Sequence, residues 1–174
     1  MNQTLRDLIS RRSCRKYTKE QVDPVVLDAI LKAGTYAPTA RGQQSPLMVV
    51  VQDQDTIAQL TRMNAEFFGA PGTDPFYGAP TIVIVLADRT NANAIKDGSL
   101  VMGNLMNAAH SLGIAYCWIN RAQEEFDGDE GKALLEKWGI TGDYIGVGHC
   151  TLGYADGPTK EAAPRKADYI HWVK

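Results

Sequence analysis

The run Thr81-Ile82-Val83-Ile84-Val85-Leu86, which follows Pro80, constrains the chain more than any other feature. Its β-branched side chains are stiff in a helix and fit a pleated surface, so it reads as a strand. No polar residue alternates with the apolar ones, which predicts a strand covered on both faces and central in a sheet. The rest of the 174 residues is then needed for further strands and for the layers that cover them.

Leu5, Leu8 and Ile9 suggest a short first helix that ends before a cluster of arginines. Asp23 followed by Pro24 is a helix start, an N-cap carboxylate ahead of a residue that needs no amide bond. Leu27, Ile30 and Leu31 then share a face, and Gly34 is the expected stop. Residues 47–51 read as a buried strand. Residues 56–68 predict a helix with Ile57, Leu60 and Phe67 as apolar points, followed by a loop to Gly78-Ala79-Pro80. Residues 95–112 predict a long helix that buries Leu100, Met102, Leu105, Met106 and Ala109 and is closed by Gly113. A strand over 114–119, a helix over 130–138 ended by Gly139, and a strand over 144–152 follow. In that last strand Gly146, Gly148 and Cys150 leave one face nearly bare, open to a closely packed helix or a flat ligand. Residues 168–173 resemble one more short strand. No repeat, low-complexity tract or linker divides the chain, so a single domain over residues 1–174, α+β or α/β, is expected.

A formal net charge of −2 with no basic stripe argues against a nucleic-acid binder. Residues 1–10 carry no long apolar run, and residues 82–87 are too few to span a bilayer, so neither a secretory signal nor a membrane segment is expected. Cys14, Cys117 and Cys150 are odd in number and widely spaced. They imply no disulfide framework, and a reducing, cytoplasmic location is the expectation.

Most catalytic signatures are missing: the chain has no GxxxxGK[ST] phosphate loop and no GxSxG elbow. Gly146, Gly148 and Gly153 do not complete a dinucleotide fingerprint. His110, His149 and His171 lack ligand-spaced partners, so no metal is expected and each reads as a structural or surface histidine. Cys14 has cationic neighbours that could activate a thiol, but no base accompanies it. What remains is anion binding. Arg11, Arg12 and Arg15, with Ser13 between them, place guanidinium forks where phosphate oxygens could be held in pairs. Taken alone, a solvated charged face accounts for the cluster equally well. Arg165 and Lys166 form a second basic group after Pro164, and spacing does not demonstrate that the two groups converge.

In order and spacing these pieces resemble the FMN-dependent nitroreductases along nearly the whole chain. Residues 11–17, Arg-Arg-Ser-Cys-Arg-Lys-Tyr, are similar to the family's N-terminal signature. Residues 37–46, Ala-Pro-Thr-Ala-Arg-Gly-Gln-Gln-Ser-Pro, are similar to its second motif. Gly78-Ala79-Pro80 before the apolar strand, Asn104 to Ala109 with Leu112-Gly113, Cys117-Trp118-Ile119 and Pro164-Arg165 also fit. Gly42 stands where asparagine is common, and Ser45-Pro46 replaces Pro-Trp, so an amide and an aromatic are absent from that motif.

The resemblance implies an α+β three-layer fold with a central, mainly antiparallel sheet flanked by helices. It also implies a homodimer with FMN at the interface and a domain-swapped C-terminal strand, here residues 169–173. By the same resemblance Arg11, Arg12, Ser13 and Arg15 hold the FMN phosphate and part of the ring edge, with Arg165 and Lys166 as late phosphate partners. Pro38, Thr39, Ala40, Gly42 and Gln44 line the flavin of the other subunit, and Trp118, Ile119 and Asn120 offer backbone groups near the ring. The implied activity passes electrons from NADH or NADPH through FMN to a nitroaromatic, quinone or similar small-molecule acceptor, in ping-pong order. Because the cofactor carries the chemistry, no catalytic side chain is assigned. A flavin carrier or sensor without broad reductase turnover is the alternative.

Overall fold

The structure is a computed structural model describing residues 1–174. Four antiparallel strands, β1 (Pro46–Val51), β2 (Thr81–Asp88), β3 (Ala115–Ile119) and β4 (Tyr144–Gly153), form one sheet in the order β1-β2-β4-β3. Six helices surround it: α1 (Gln3–Ser10), α2 (Pro24–Thr35), α3 (Gln54–Phe68), α4 (Ala94–Ser111), α5 (Ala122–Asp127) and α6 (Asp129–Lys137). No helix is long and apolar enough to cross a membrane.

β2 lies between β1 and β4, as its two apolar faces require. Ile82, Ile84 and Leu86 pack with Leu60 and Met63 of α3, Phe126 of α5 and Leu134 of α6. Val83 and Val85 pack on the opposite face with Ile30 of α2 and with Met102 and Leu105 of α4. The result is three layers, helices on each side of the sheet. Burying a side chain of this size contributes about 1.5–3 kcal/mol. The helix ends follow local chemistry: Asp23 accepts from the Val25 and Val26 amides with Pro24 in the first turn, and Asp53 caps α3 at the Thr56 amide. Gly69, in the left-handed region at φ 76°, ends α3.

Several expectations need correction. Gly34 lies inside α2, where an added Cβ would sit 2.9 Å from both Leu105 Cδ2 and Met48 Sδ. Its role is to let α2 approach its neighbours, not to end the helix. Leu100 and Phe67 are exposed, because Val101 and Met102, and Met63 and Asn64, occupy the inward positions of their helices. Leu5, Leu8 and Ile9 of α1 are exposed as well. Helix α5 is an element the apolar periodicity did not reveal.

The bare face expected on β4 is split by a bulge. Val85 pairs with Gly148 and Leu86 with Gly146, which leaves Val147 as an extra residue. A Cβ on Gly146 would lie 2.1 Å from the Ala122 carbonyl oxygen at the start of α5, whereas one on Gly148 would meet the Trp118 indole at 2.5 Å. The two glycines thus admit a helix on one face and a tryptophan on the other. Residues 168–173 form no strand, and Tyr169, Ile170 and Trp172 are exposed. An extended segment becomes a strand only by pairing, and these residues find no partner within their own chain.

Candidate cofactor site

The arginine segment runs along the outer edge of β3. The Cys14 amide donates to the Tyr116 carbonyl at 2.7 Å, and the Thr18 amide to the Tyr154 carbonyl at 2.9 Å. Tyr17 forms an isolated antiparallel bridge with Ala155. Cys14 and Tyr17 anchor the segment from inside. The Cys14 thiol is buried and donates to the Lys16 carbonyl at 3.1 Å, so it is not presented as a nucleophile. The Tyr17 hydroxyl lies 2.7 Å from Thr151 Oγ1, and burial pushes its phenol far above the ordinary range, which keeps it neutral. With Cys14 turned inward, its neighbours Ser13 and Arg15 line a hollow of about 880 Å³ together with Arg11 and Arg12. Lys160 and Arg165, from late in the chain, line it as well.

Glu161 is the one acidic residue among that lining. Arg12 is partly committed: its Nη1 donates to the Ile9 carbonyl at 2.8 Å and the Arg11 carbonyl at 2.6 Å, tying off the end of α1. Arg165 folds onto the Ala163 carbonyl, at 2.7 Å from Nη2. Arg11 and Arg15 take part in no ion pair, so their charge is available to a ligand. Their field reaches β3. Burial raises the Tyr116 phenol and the Cys117 thiol, and Arg11 and Arg15 respectively are the leading influences opposing that rise.

Beyond β3 the chain turns at Asn120-Arg121 into α5. Arg121 holds φ 80° and ψ 7°, a left-handed conformation uncommon outside glycine. The Glu125 amide donates to the Arg121 carbonyl at 3.0 Å, and the Asn64 Nδ2 donates to the Asn120 carbonyl at 2.7 Å. A second hollow of about 460 Å³ opens at this corner, walled by Phe68, Pro75, Tyr77 and Trp118 with Ile119, Asn64, Asn120 and Arg121. The Arg121 guanidinium carbon stands 4.3 Å from the centre of the Phe68 ring.

Asn64 is the residue the sequence reading missed. Its side chain is buried, and Oδ1 has no hydrogen-bond partner. A signal existed: Asn64 follows Ile57 by seven positions and Leu60 by four, so it is a polar residue on the apolar stripe of α3.

The second motif stands elsewhere. The Ala40 amide donates to Asp97 Oδ1 at 3.0 Å, and the Gln44 amide to Thr39 Oγ1 at 3.0 Å. Arg41, Gly42 and Gln44 all carry positive φ, so Gly42 meets a backbone requirement; a Cβ there would touch nothing within 4 Å. Thr39, Ala40 and Gln44 border hollows separate from those of the arginines and of Asn120, and Pro38 and Gly42 are exposed. Within one chain, therefore, Arg11, Arg12, Ser13, Arg15 and Arg165 come together, as do Trp118, Ile119 and Asn120. Residues 38–44 join neither group. Lys166 also lies outside the arginine hollow, with Nζ 5.6 Å from the Tyr169 ring centre.

Comparisons with known proteins bear on this arrangement. The family described as "Nitroreductase family" matches residues 8–154. A solved nitroreductase with bound FMN from Bacteroides fragilis NCTC 9343 is 30% identical, with a TM-score of 0.92 over 100% of both chains. One from Desulfitobacterium hafniense DCB-2, also with bound FMN, shares the fold at a TM-score of 0.90, with 24% identity over 100% of both chains. The "FMN reductase [NAD(P)H]" of Bacillus subtilis (strain 168) is 31% identical over 98 residues, 56% of this chain and 37% of that protein.

Proposed function

The chain belongs to the nitroreductase family, and on that premise we propose that it is an FMN-dependent oxidoreductase working between NADH or NADPH and a nitroaromatic, quinone or similar conjugated acceptor. The observation that carries this reading is the convergence of Arg11, Ser13 and Arg15 with Arg165 on one hollow beside β3.

The residues fit FMN. Arg11 and Arg15, free of ion pairs, would hold the phosphate with Arg165 and the Ser13 hydroxyl, and Arg12 would add its charge while capping α1. Asn64, buried behind the second hollow, would hold the Asn120 corner in place beside the ring through its bond to the Asn120 carbonyl. Backbone groups of Trp118, Ile119 and Asn120 stand around the same hollow. When bound, FMN supplies the site that takes hydride from the nicotinamide and then gives electrons to the acceptor. Phe68, Tyr77 and Trp118 offer flat surfaces against which donor and acceptor can lie in turn, in ping-pong order.

Two features support a homodimer. Pro38, Thr39, Ala40, Gly42 and Gln44 form a built turn away from the arginines of their own chain, where they are free to serve a second subunit's cofactor. β1 is an open edge of the sheet, and the apolar tail around Tyr169 to Val173 has the composition to pair with the partner's edge.

The test is spectroscopic. Purified protein is expected to show flavin absorbance with about one FMN per chain, and NADH or NADPH is expected to bleach it within the dead time or first seconds of a stopped-flow trace. Colourless protein that FMN does not reconstitute overturns the enzyme reading. Bound flavin that neither nicotinamide reduces points instead to a carrier or sensor.

A further inference from the structure

We propose that Arg121 selects the electron acceptor: the second hollow takes a conjugated ring that carries an anionic group such as a carboxylate, which the Arg121 guanidinium binds. The proposal rests on the flavin reading above and names the acceptor's class within it. The hollow is walled by Phe68, Pro75, Tyr77 and Trp118, and Arg121 is the one charged residue in its lining. Phe68 and Tyr77 are 57% and 37% exposed, so flat apolar surface stands free for a ligand to cover. A space of about 460 Å³ suits a small aromatic ligand.

Two observations mark Arg121 as placed for a ligand. The first is its backbone. Of the non-glycine residues with positive φ, Arg41 and Gln44 belong to the turn of the second motif. The other two, Tyr77 at 58° and Arg121 at 80°, both line this hollow. Glycine adopts such angles without strain, and other residues held there gather at binding sites. Tyr77 is fixed by a turn in which Asp74 accepts from the Phe76 and Gly78 amides, at 2.8 and 2.6 Å. Arg121 is fixed by its carbonyl, which accepts from the Glu125 amide at 3.0 Å.

The second observation is its charge. Arg121 belongs to no ion pair, although α5 and α6 carry carboxylates close by in sequence. Asp127 pairs with Arg89, Glu130 with Arg62, and Glu125 turns inward to Asn64. Arg121 is half-buried, its guanidinium carbon 4.3 Å from the centre of the Phe68 ring. That ring steadies the cation and supplies no acceptor oxygen, so N–H donors remain for a ligand. A ring lying among Phe68, Tyr77 and Trp118 with a carboxylate at its edge would meet both the aromatic surfaces and the guanidinium fork.

The experiment titrates para-nitrobenzoate and its neutral counterpart para-nitrobenzamide into oxidised, FMN-loaded protein with no electron donor present, and reads the change in flavin absorbance. Wild-type protein is expected to bind the carboxylate about tenfold more tightly than the amide. Arg121→Gln and Arg121→Gly are expected to remove that preference by weakening the carboxylate alone. The glycine variant suits the positive φ, which keeps the corner folded. Wild-type protein without the preference, variants that keep it, or variants that weaken both ligands equally overturn the proposal and leave the flavin reading standing. So does unchanged nitrobenzoate affinity with slower flavin reduction by NADH or NADPH, which assigns the cation to the donor. Protein that takes up no FMN overturns the flavin reading and the proposal with it. A measurement on the unaltered protein needs no variant: added sodium chloride is expected to lower the affinity for nitrobenzoate and not for the amide. A preference indifferent to salt overturns the proposal.

Discussion

Asn64 reaches from α3 to the Asn120 carbonyl oxygen, 2.7 Å away, and so ties a helix in one layer to the corner that follows the edge strand. Replacing it by leucine keeps the branched shape but strips the Asn120 carbonyl and the Glu125 side chain of a donor. Leaving a buried acceptor without its donor costs about 1–3 kcal/mol for each group. Asn64→Leu is therefore expected to lower the urea midpoint of flavin-free protein markedly, with an unchanged slope; an unaltered midpoint would show the contact to be idle.

The arginines are expected to differ in role. Charge-assisted hydrogen bonds contribute roughly 1.5–3 kcal/mol each, so Arg11→Ala combined with Arg15→Ala is expected to weaken FMN binding by well over tenfold. Arg12, bonded to the Ile9 and Arg11 carbonyls, is expected to affect the thermal stability of the N-terminal segment more than affinity. Fluorescence titration beside thermal unfolding separates the two effects.

Gly146 has no room for a methyl group. The Ala122 carbonyl oxygen would lie 2.1 Å from it, and backbone cannot swing aside as a side chain can. Gly146→Ala is expected to destabilise by about 1–3 kcal/mol or more. Gly42→Ala, where nothing is within 4 Å and only the positive φ objects, is expected to cost roughly 1–2 kcal/mol. Denaturant titration of both variants ranks them.

Acid is expected to loosen α3 at its start. The Thr56 hydroxyl, with the Thr56 amide second, holds the Asp53 carboxyl below the usual carboxylate range. A depressed carboxyl adds stability that is present above the unfolded value of about 3.9 and is lost as pH falls through the lower folded value. The difference in thermal midpoint between wild type and Asp53→Ala is therefore expected to be constant near neutrality and to shrink below about pH 4.

Removing residues 168–174 is expected to leave the domain folded, since every residue from 155 onward is exposed and none belongs to either core. If the proposed homodimer uses this tail, removal is also expected to weaken it, which sedimentation at several concentrations measures.

Some of this was written in the chain. β2 was legible because six consecutive apolar residues admit little besides a covered strand, and α2 because Asp23-Pro24 is a complete local start signal. Helix α5 was not: it spans Ala122–Asp127, its first turn is acidic, and the burial of Glu125 depends on Asn64 and His149 from remote segments. The β4 glycines misled because alternation assumes a regular pleat, and the extra Val147 interrupts it. Arg165 could be placed beside Arg11 by resemblance, not by spacing, since the long intervening chain sets no distance between them. Lys166 shows the limit, being adjacent in sequence and absent from the hollow.

Residues 82–87 have no exposure at all, and none of them lines either of the hollows beside β3. The part of the molecule that fixes its architecture and the part that meets ligands are thus different residues on different strands. Amides of β2 are expected to open to solvent only when the whole domain unfolds, while Tyr77, Asn120 and Arg121 sit on loops and a strand end. A lineage can then exchange side chains around the aromatic hollow and sample new acceptors without eroding the foundation that keeps the arginines in place.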